Sequence, residues 1–163
     1  MRYSKYRIFL IEMFSSQDIS YMNNALDLAR EAFKLDEVPV GAIIAYEGKI
    51  IGRGFNKVII DNDVSSHAEI NAIRDASNQI GNFRLNDCTM YVSLEPCHMC
   101  AKAIVDARLK SVVFAAHEPK TGSINSIDNF LDKNFLNHKV EYKSGLLADE
   151  SSALLKEFFT LKR

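Results

Sequence analysis

Cys97 and Cys100 lie three residues apart and follow Pro96, where an apolar, strand-like segment changes into a helical one. Elsewhere in the chain, His67 and Glu69 open another segment whose apolar residues have helical spacing, and 26 residues separate Glu69 from Pro96. Imidazole and thiolate groups are ligands that zinc prefers in proteins. A fold that builds a metal site from these residues must bring the beginnings of two helices together, which is a strong constraint on topology.

Five short segments have the composition of β-strands, and helical patterns lie around and between them. The strand-like segments are VPVGAIIAY, KIIGRGFN, CTMYVSL, KSVVFAA and HKVEYK. Glu47-Gly48 joins the first two and predicts a hairpin turn. The later strands alternate with helices, which predicts parallel crossover connections. The pattern therefore predicts an α/β fold with a central mixed five-stranded sheet that is flanked by helices.

The chain length favours one domain, because 163 residues of which 47% are hydrophobic can bury a substantial core. We predict that residues 18–163 form this domain and that residues 1–17 are an N-terminal extension that need not be ordered. Glu12 interrupts the apolar run near the start, which argues against an export signal. An odd number of cysteines, three, argues against a disulfide framework and favours the reducing cytoplasm.

The net charge of -1 and the lack of a long apolar run give no global signal for nucleic acid and predict no membrane partner. The stretch 117–137 contains no clear element and is rich in Gly, Pro, Asn and Asp. Loops of that length usually have a functional reason. Function must therefore be read from local motifs.

Each piece of the cysteine and histidine pattern also has a simpler explanation. Cys97 and Cys100 could be two small buried residues of a helix. Ser66 and Glu69 have the spacing of a capping box, in which Glu69 would only accept a hydrogen bond from a helix-terminal amide. The joint pattern favours a metal site instead, because it places imidazole and two thiolates at helix starts, where the helix dipole stabilises negative charge.

The remaining cysteine, Cys88, opens the strand that ends near Ser93 and should lie about 15 Å from such a site. A fourth protein ligand is therefore not expected, and the open position is predicted to hold water. Zinc lowers the pKa of a bound water toward ~7, and a nearby carboxylate can accept the proton. Glu69 would pass it to a substrate ring nitrogen and then to departing ammonia, as in the zinc-dependent nucleobase deaminases, which share this motif.

The sequence resembles the bacterial tRNA adenosine deaminases of the cytidine deaminase superfamily, from about Ser20 to Arg163. The resemblance rests on the segments VPVGA, GFN, HAEINAIR, LEPCHMCAKAI, VVFAA, KTGS, NHKVE and GLLADESSALLKEFF. It implies a three-layer cytidine-deaminase-like fold, a homodimer and one zinc per chain, bound by His67, Cys97 and Cys100. It also implies that Glu69 is the proton shuttle, and that the reaction converts adenosine to inosine at the wobble position of a tRNA(Arg) with anticodon ACG.

The resemblance further implies contacts to the substrate. Contacts to the target nucleoside would come from Asn56, Val40, Ala68 and Pro96. Contacts to the anticodon stem-loop would come from His117, Glu118, Lys120, Phe158, Phe159, Lys162 and Arg163. Family members usually have an Arg-Asp pair before Ala-Lys-Thr-Gly, whereas this chain has His117-Glu118 before Pro119-Lys120. Asn56 could also be an ordinary turn residue, and we expect one of Phe158 and Phe159 to be a packing residue.

Two other functions share some of these features. One is a free nucleobase or nucleoside deaminase, of the guanine or cytidine type, with the same zinc chemistry. The other is a non-catalytic, zinc-stabilised RNA-binding module. Glu69 argues against the module, since a structural zinc site has no use for an acid beside an open position. The C-terminal segments of the resemblance argue against the free-base deaminase.

Overall fold

The structure is a computed structural model that describes residues 13–163. Residues 1–12, most of the predicted extension, lie outside the described residues. The helices are α1 (Ser16–Lys34), α2 (Val58–Asp61), α3 (Ala68–Ile80), α4 (His98–Asp106) and α5 (Ala148–Leu161), with a 3-10 helix at Phe130–Asp132. The strands are β1 (Gly41–Tyr46), β2 (Lys49–Phe55), β3 (Thr89–Leu94), β4 (Ser111–Ala116) and β5 (Glu141–Ser144). Within residues 13–163, no helix has both the length and the apolar character needed to cross a bilayer.

The five strands form one sheet in the order β2-β1-β3-β4-β5. β1 is antiparallel to β2 and β3, and β4 is parallel to β3 and β5, which confirms the predicted mixed sheet. The predicted hairpin turn is also present, because Glu47 and Gly48 adopt positive φ angles of 47° and 77°. This is the two-residue turn whose twist matches antiparallel strands.

Side chains alternate between the two faces of the sheet and create two apolar layers. On one face, Ile44, Met90 and Phe114 pack against the alanines of α3 and the apolar side of α4. On the other face, Ile43 and Val113 belong to the layer that packs against α1. Alternation with period two is what a strand buried on both faces requires. The molecule therefore has three layers, as the resemblance implied.

Helix α1 begins two residues before Asp18, where the sequence placed the start of the domain. Ser15 is the N-cap: its hydroxyl accepts from the Asp18 amide, and the Asp18 carboxylate accepts from the Ser15 amide. This reciprocal capping box satisfies two otherwise unpaired donors. Phe14, just before the cap, is buried in the layer beneath α1. The packed domain therefore includes residues from Phe14 onward.

Two glycines of β2 let α3 lie directly on the sheet. A Cβ added at Gly54 would come within 2.3 Å of the Ala68 carbonyl oxygen, and one at Gly52 within 2.5 Å of the Ala72 carbonyl oxygen. Only glycine allows so close an approach of two backbones. Because Ala68 is the first residue of α3, this contact fixes the position of His67 and Glu69 relative to the sheet.

Candidate active site

The first helical turns of α3 and α4 meet at one edge of the sheet. β2 and β3 are both antiparallel to β1, so they run in the same direction and their carboxyl ends lie at the same edge. His67 is the N-cap of α3 and Cys97 is the N-cap of α4, and neither side chain forms a capping hydrogen bond. These side chains are therefore available as ligands.

The alternative capping-box role of Ser66 and Glu69 is wrong. The N-cap is His67 rather than Ser66. The Ser66 hydroxyl donates to Asp61 at 2.7 Å instead, and the Glu69 side chain lines the cavity beside His67.

The three predicted zinc ligands form one cluster. The His67 Nδ1 atom lies 3.7 Å from the Cys97 Sγ atom and 3.4 Å from the Cys100 Sγ atom. Zn–S and Zn–N bonds of normal length at a tetrahedral angle place nitrogen and sulfur about 3.6 Å apart. Among the described residues no other group of three such ligands converges, and the thiol of Cys88 donates to the Asn86 carbonyl oxygen instead. The donor set and its spacing fit zinc.

The electrostatics of the cluster favour a bound cation. The hydrogen bond from the Cys100 thiol lowers the pKa of Cys97 to about 4, and the bond with His67 acts in the same direction. The same bond with Cys97 raises the pKa of His67, while the pKa of Cys100 is raised by its bond to Cys97 and by burial. These hydrogen bonds favour the thiolate form of Cys97. A divalent cation in place of the Cys100 and His67 protons would let both sulfurs ionise.

Glu69 lies beside the cluster and is only 4% exposed. Burial raises the pKa of its carboxyl to about 7. A carboxyl whose pKa is near neutrality can both accept and release a proton under physiological conditions. Its position and its pKa therefore suit the predicted role of a proton shuttle.

A cavity of about 320 Å³ opens onto this cluster, within the size range of small-ligand sites. Its walls come from the loop before β1, the end of β2, α2, both ligand-bearing turns and the segment after β4. The lining residues are Glu37, Val38, Val40, Asn56, Val58, Ile59, His67, Glu69, Leu94, Glu95, Cys97, Glu118 and Thr121. Val58 and Ile59 belong to the short helix α2.

The predicted nucleoside contacts fall into two groups. Val40 and Asn56 line the cavity, whereas Ala68 and Pro96 are buried next to the ligand positions. The Asn56 side-chain oxygen accepts from the Ala68 amide at 2.8 Å, which ties the end of β2 to the first turn of α3. Because Asn56 also lines the cavity, its Nδ2 group is a hydrogen-bond donor at the cavity wall.

Two buried glutamates in the cavity wall were not predicted. Glu37 is 2% exposed and accepts from the amides of Ile59 and Ile60, both at 2.8 Å, which anchors α2 at the cavity mouth. Glu95 is 3% exposed and accepts from several residues after β4. Burial raises the pKa of Glu95, but the hydrogen bond from Ser126 and backbone amides outweigh it, so the pKa lies below its ordinary value. The sequence signal for Glu95 is its position as a charged residue directly after an apolar strand.

The loop residues predicted to contact RNA lie at or near the cavity rim. Glu118 lines the cavity, and its carboxylate accepts from the Lys120 amide at 2.9 Å. His117 and Lys120 are exposed. The His117 ring packs edge-on against Phe114, with ring centroids 5.2 Å apart.

The tail residues predicted to contact RNA divide according to burial. Phe158 is 6% exposed and packs edge-on against Phe33, whereas Phe159 is 48% exposed. Lys162 forms an ion pair with Asp36, which directly precedes the cavity residue Glu37. Arg163 is exposed. The end of α5 therefore reaches the neighbourhood of the cavity, and Phe158 has a packing role.

His98 and His138 lie outside the ligand cluster. His98 is on the surface, where Nε2 lies 3.0 Å from an Asp128 carboxylate oxygen. His138 Nε2 donates to the Leu109 carbonyl oxygen at 2.7 Å.

Comparisons with known proteins agree with this arrangement. The family model for MafB19-like deaminases matches residues 16–163. A tRNA-specific adenosine deaminase of Haemophilus influenzae is 45% identical over 150 residues, which are 91% of this chain and 87% of that protein. The chain belongs to the tRNA-specific adenosine deaminase family.

Solved structures support the same family assignment. A structure from work on A-to-I editing by tRNA:A34 deaminases at the wobble position of transfer RNA matches with a TM-score of 0.81 and 40% identity, covering 83% of this chain and 99% of that chain. A guanine deaminase from Nitrosomonas europaea matches with a TM-score of 0.74 and 26% identity, covering 87% and 84%. The cytidine-deaminase-like fold that the sequence predicted is confirmed.

We predict that metal binding and turnover separate in variants of this deaminase. Cys97→Ala and Cys100→Ala should each lose zinc, because a thiolate ligand is removed, whereas the matched change Cys88→Ala should keep close to one zinc per chain. Glu69→Gln should keep zinc but lose at least about 100-fold in activity, because it cannot carry a proton. Elemental analysis and an ammonia-release assay measure the two properties. Full turnover by Glu69→Gln would contradict the proton-shuttle role.

Proposed function

We propose that this deaminase hydrolyses adenosine to inosine at the wobble position of a tRNA(Arg) with anticodon ACG. The observation that carries the proposal is Glu69, a buried carboxyl beside three zinc-type ligands in a cavity of about 320 Å³. The named activity of the Haemophilus influenzae relative supports the tRNA substrate.

The residues of the chain have separate tasks in this reaction. His67, Cys97 and Cys100 would hold zinc, and bound zinc would supply Lewis-acid activation of the attacking water. The Glu69 carboxyl accepts a proton from that water and donates it to N1 of adenine as C6 is attacked. It then carries the second proton to the exocyclic amine, so that ammonia leaves and the carbonyl of inosine forms.

The cavity walls orient the base. Val40 and Leu94 offer apolar surface at the cavity walls. The Nδ2 group of Asn56, a cavity residue, would donate a hydrogen bond to the target nucleoside. Apolar walls with a few fixed polar groups are the usual means of orienting a small ring in a closed site. A nucleotide that is flipped out of the stem-loop would place its base in this cavity, while the rest of the stem-loop stays outside.

Deamination of free guanine is the second candidate function, because the guanine deaminase from Nitrosomonas europaea has the same fold, although at a lower identity to this chain. Zinc chemistry of this kind serves any ring with an amino group next to a ring nitrogen, so pocket shape and flanking contacts must discriminate. The higher identity to tRNA-specific relatives favours the tRNA substrate.

We predict that the zinc-loaded protein forms inosine at the first anticodon position of a minimal ACG stem-loop, while free adenosine, cytidine and guanine react very slowly. The reason is that contacts outside the reacting base are needed for orientation. Nuclease digestion followed by mass spectrometry measures inosine. A stem-loop with another base at that position is the matched control. Rapid deamination of free guanine or cytidine, without inosine in the stem-loop, would favour the second candidate.

The exposed residues of the loop and the tail, together with the half-buried rim residue Glu118, are our proposed RNA contacts. They are His117, Glu118, Lys120, Phe159, Lys162 and Arg163. Phe159 is an exposed aromatic ring on which a base can stack, and the adjacent basic residues can contact phosphate. Phe158 is left out because it packs against Phe33.

Deleting residues 159–163 should lower kcat/KM for the stem-loop at least about fivefold, since base stacking on an aromatic ring contributes ~1–3 kcal/mol. Zinc content should not change. Leu161→Ala, which removes an exposed apolar side chain from the same helix, should have little effect. An unchanged kcat/KM in the deletion variant would remove the tail from the RNA contacts.

We also propose that the deaminase is a cytoplasmic homodimer. Apolar side chains are exposed around the site, including Ile59 at 69%, Val64 at 83% and Met99 at 37%. A second copy would cover such surface. Sedimentation at micromolar concentration should therefore show twice the mass of one chain, and a single-chain mass would contradict the dimer.

A further inference from the structure

The loop of residues 117–127 is fastened to the rest of the molecule by one buried carboxylate. Glu95 Oε2 accepts from the backbone amides of Ile124, Asn125 and Ser126, at 3.0, 2.8 and 3.0 Å. Glu95 Oε1 accepts from the Glu118 amide at 3.2 Å and from the Ser126 hydroxyl. Successive amides that converge on one oxygen form an anion-binding nest, here filled by a side chain of the same protein.

The neighbouring residues strengthen the same connection. The Pro96 carbonyl oxygen accepts from the Ser123 amide at 3.0 Å and from the Ser123 hydroxyl at 2.9 Å. Pro96 directly precedes the zinc-type ligand Cys97. The turn that positions a ligand and the 117–127 loop are therefore joined at consecutive residues.

Gly122 shows how closely the loop fits around the carboxylate. A Cβ at this position would lie 2.4 Å from the Glu95 Cδ atom and 2.6 Å from the Glu118 carbonyl oxygen. Glu95 thus occupies the space that any other residue at position 122 would need for its side chain.

The loop also forms part of the cavity rim. Glu118 and Thr121 line the cavity together with Glu95 and Cys97. Contacts to the substrate outside the reacting base must pass this rim. The loop therefore borders the opening through which a substrate would reach the cavity.

We propose that Glu95 is a positioning residue, which fixes the 117–127 loop relative to the Cys97 turn and thereby sets the affinity for the substrate beyond the reacting base. The substrate part of this inference rests on the proposed function. A carboxylate is required because it is acceptor-only, whereas glutamine would turn an NH2 group toward amides that are themselves donors.

Glu95→Gln in the zinc-loaded protein tests the proposal. It should raise KM for the ACG stem-loop at least about tenfold, since hydrogen bonds to a charged acceptor are lost, while zinc content is kept and kcat changes less than about threefold. Glu141→Gln is the matched control, because Glu141 is exposed at the other end of the sheet, beside Ser111. Loss of zinc, or a fall in kcat with KM unchanged, would overturn the proposal.

Gly122→Ala disturbs the same contact from the loop side and keeps the test valid if Glu95→Gln does not fold. It should give the same rise in KM, and the double variant should be less affected than the product of the two single effects. If the two increases in KM simply multiplied in the double variant, the substitutions would act independently, which would contradict a shared contact.

Hydrogen exchange tests the contact without any substrate. The amides of residues 124–126 should exchange faster in Glu95→Gln than in the Glu141→Gln control. Unchanged exchange would overturn the positioning role. If the parent protein forms no inosine, the proposed function fails, and the exchange result still decides whether Glu95 holds the loop.

Discussion

The structure depends on the close contact between α3 and β2. Gly52 and Gly54 remove the side chains that would otherwise separate the helix from the sheet. The helix start is then held at the carboxyl edge of the sheet, where the Asn56 side chain binds the Ala68 amide. His67 and Glu69 are placed by backbone packing of this kind, so both side chains keep a fixed separation from the Cys97 turn on the neighbouring helix.

The segment from Ser93 to Cys97 connects most of the other elements that surround the site. The Ser93 hydroxyl accepts from the Gly41 amide, at the start of β1, and the Ser93 carbonyl accepts from Ser151 of α5. Glu95 and Pro96 hold the loop after β4. Strand β1, the C-terminal helix and the rim loop are therefore all attached within five residues of a strand end. Rigid support of this type is what a catalytic constellation needs to keep its geometry.

Much of the fold and the centre of the site could be predicted from the sequence, because the strands are short, apolar and separated by strong turn and helix signals. The convergence of His67, Cys97 and Cys100 could be predicted from residue type and spacing, which do not depend on the exact boundaries of the helices. A small boundary error was enough to suggest a capping box at Ser66, one residue before the actual N-cap His67. Phe158 and Phe159 could not be distinguished, since adjacent helical residues differ in direction by about 100° and the burial of each depends on Phe33, far away in the chain. The role of Glu95 depends on amides about 30 residues later, which carry no signature in a single sequence.

Four glutamates, Glu37, Glu69, Glu95 and Glu118, contribute to the walls of one cavity. Glu37 and Glu95 are committed to backbone amides of the protein itself, so their charges are internally balanced but still unfavourable for an approaching anion. A phosphate group would meet repulsion inside this cavity, whereas an uncharged heterocycle would not. An uncharged heterocycle is therefore the kind of ligand that this cavity accepts more readily than a phosphate group.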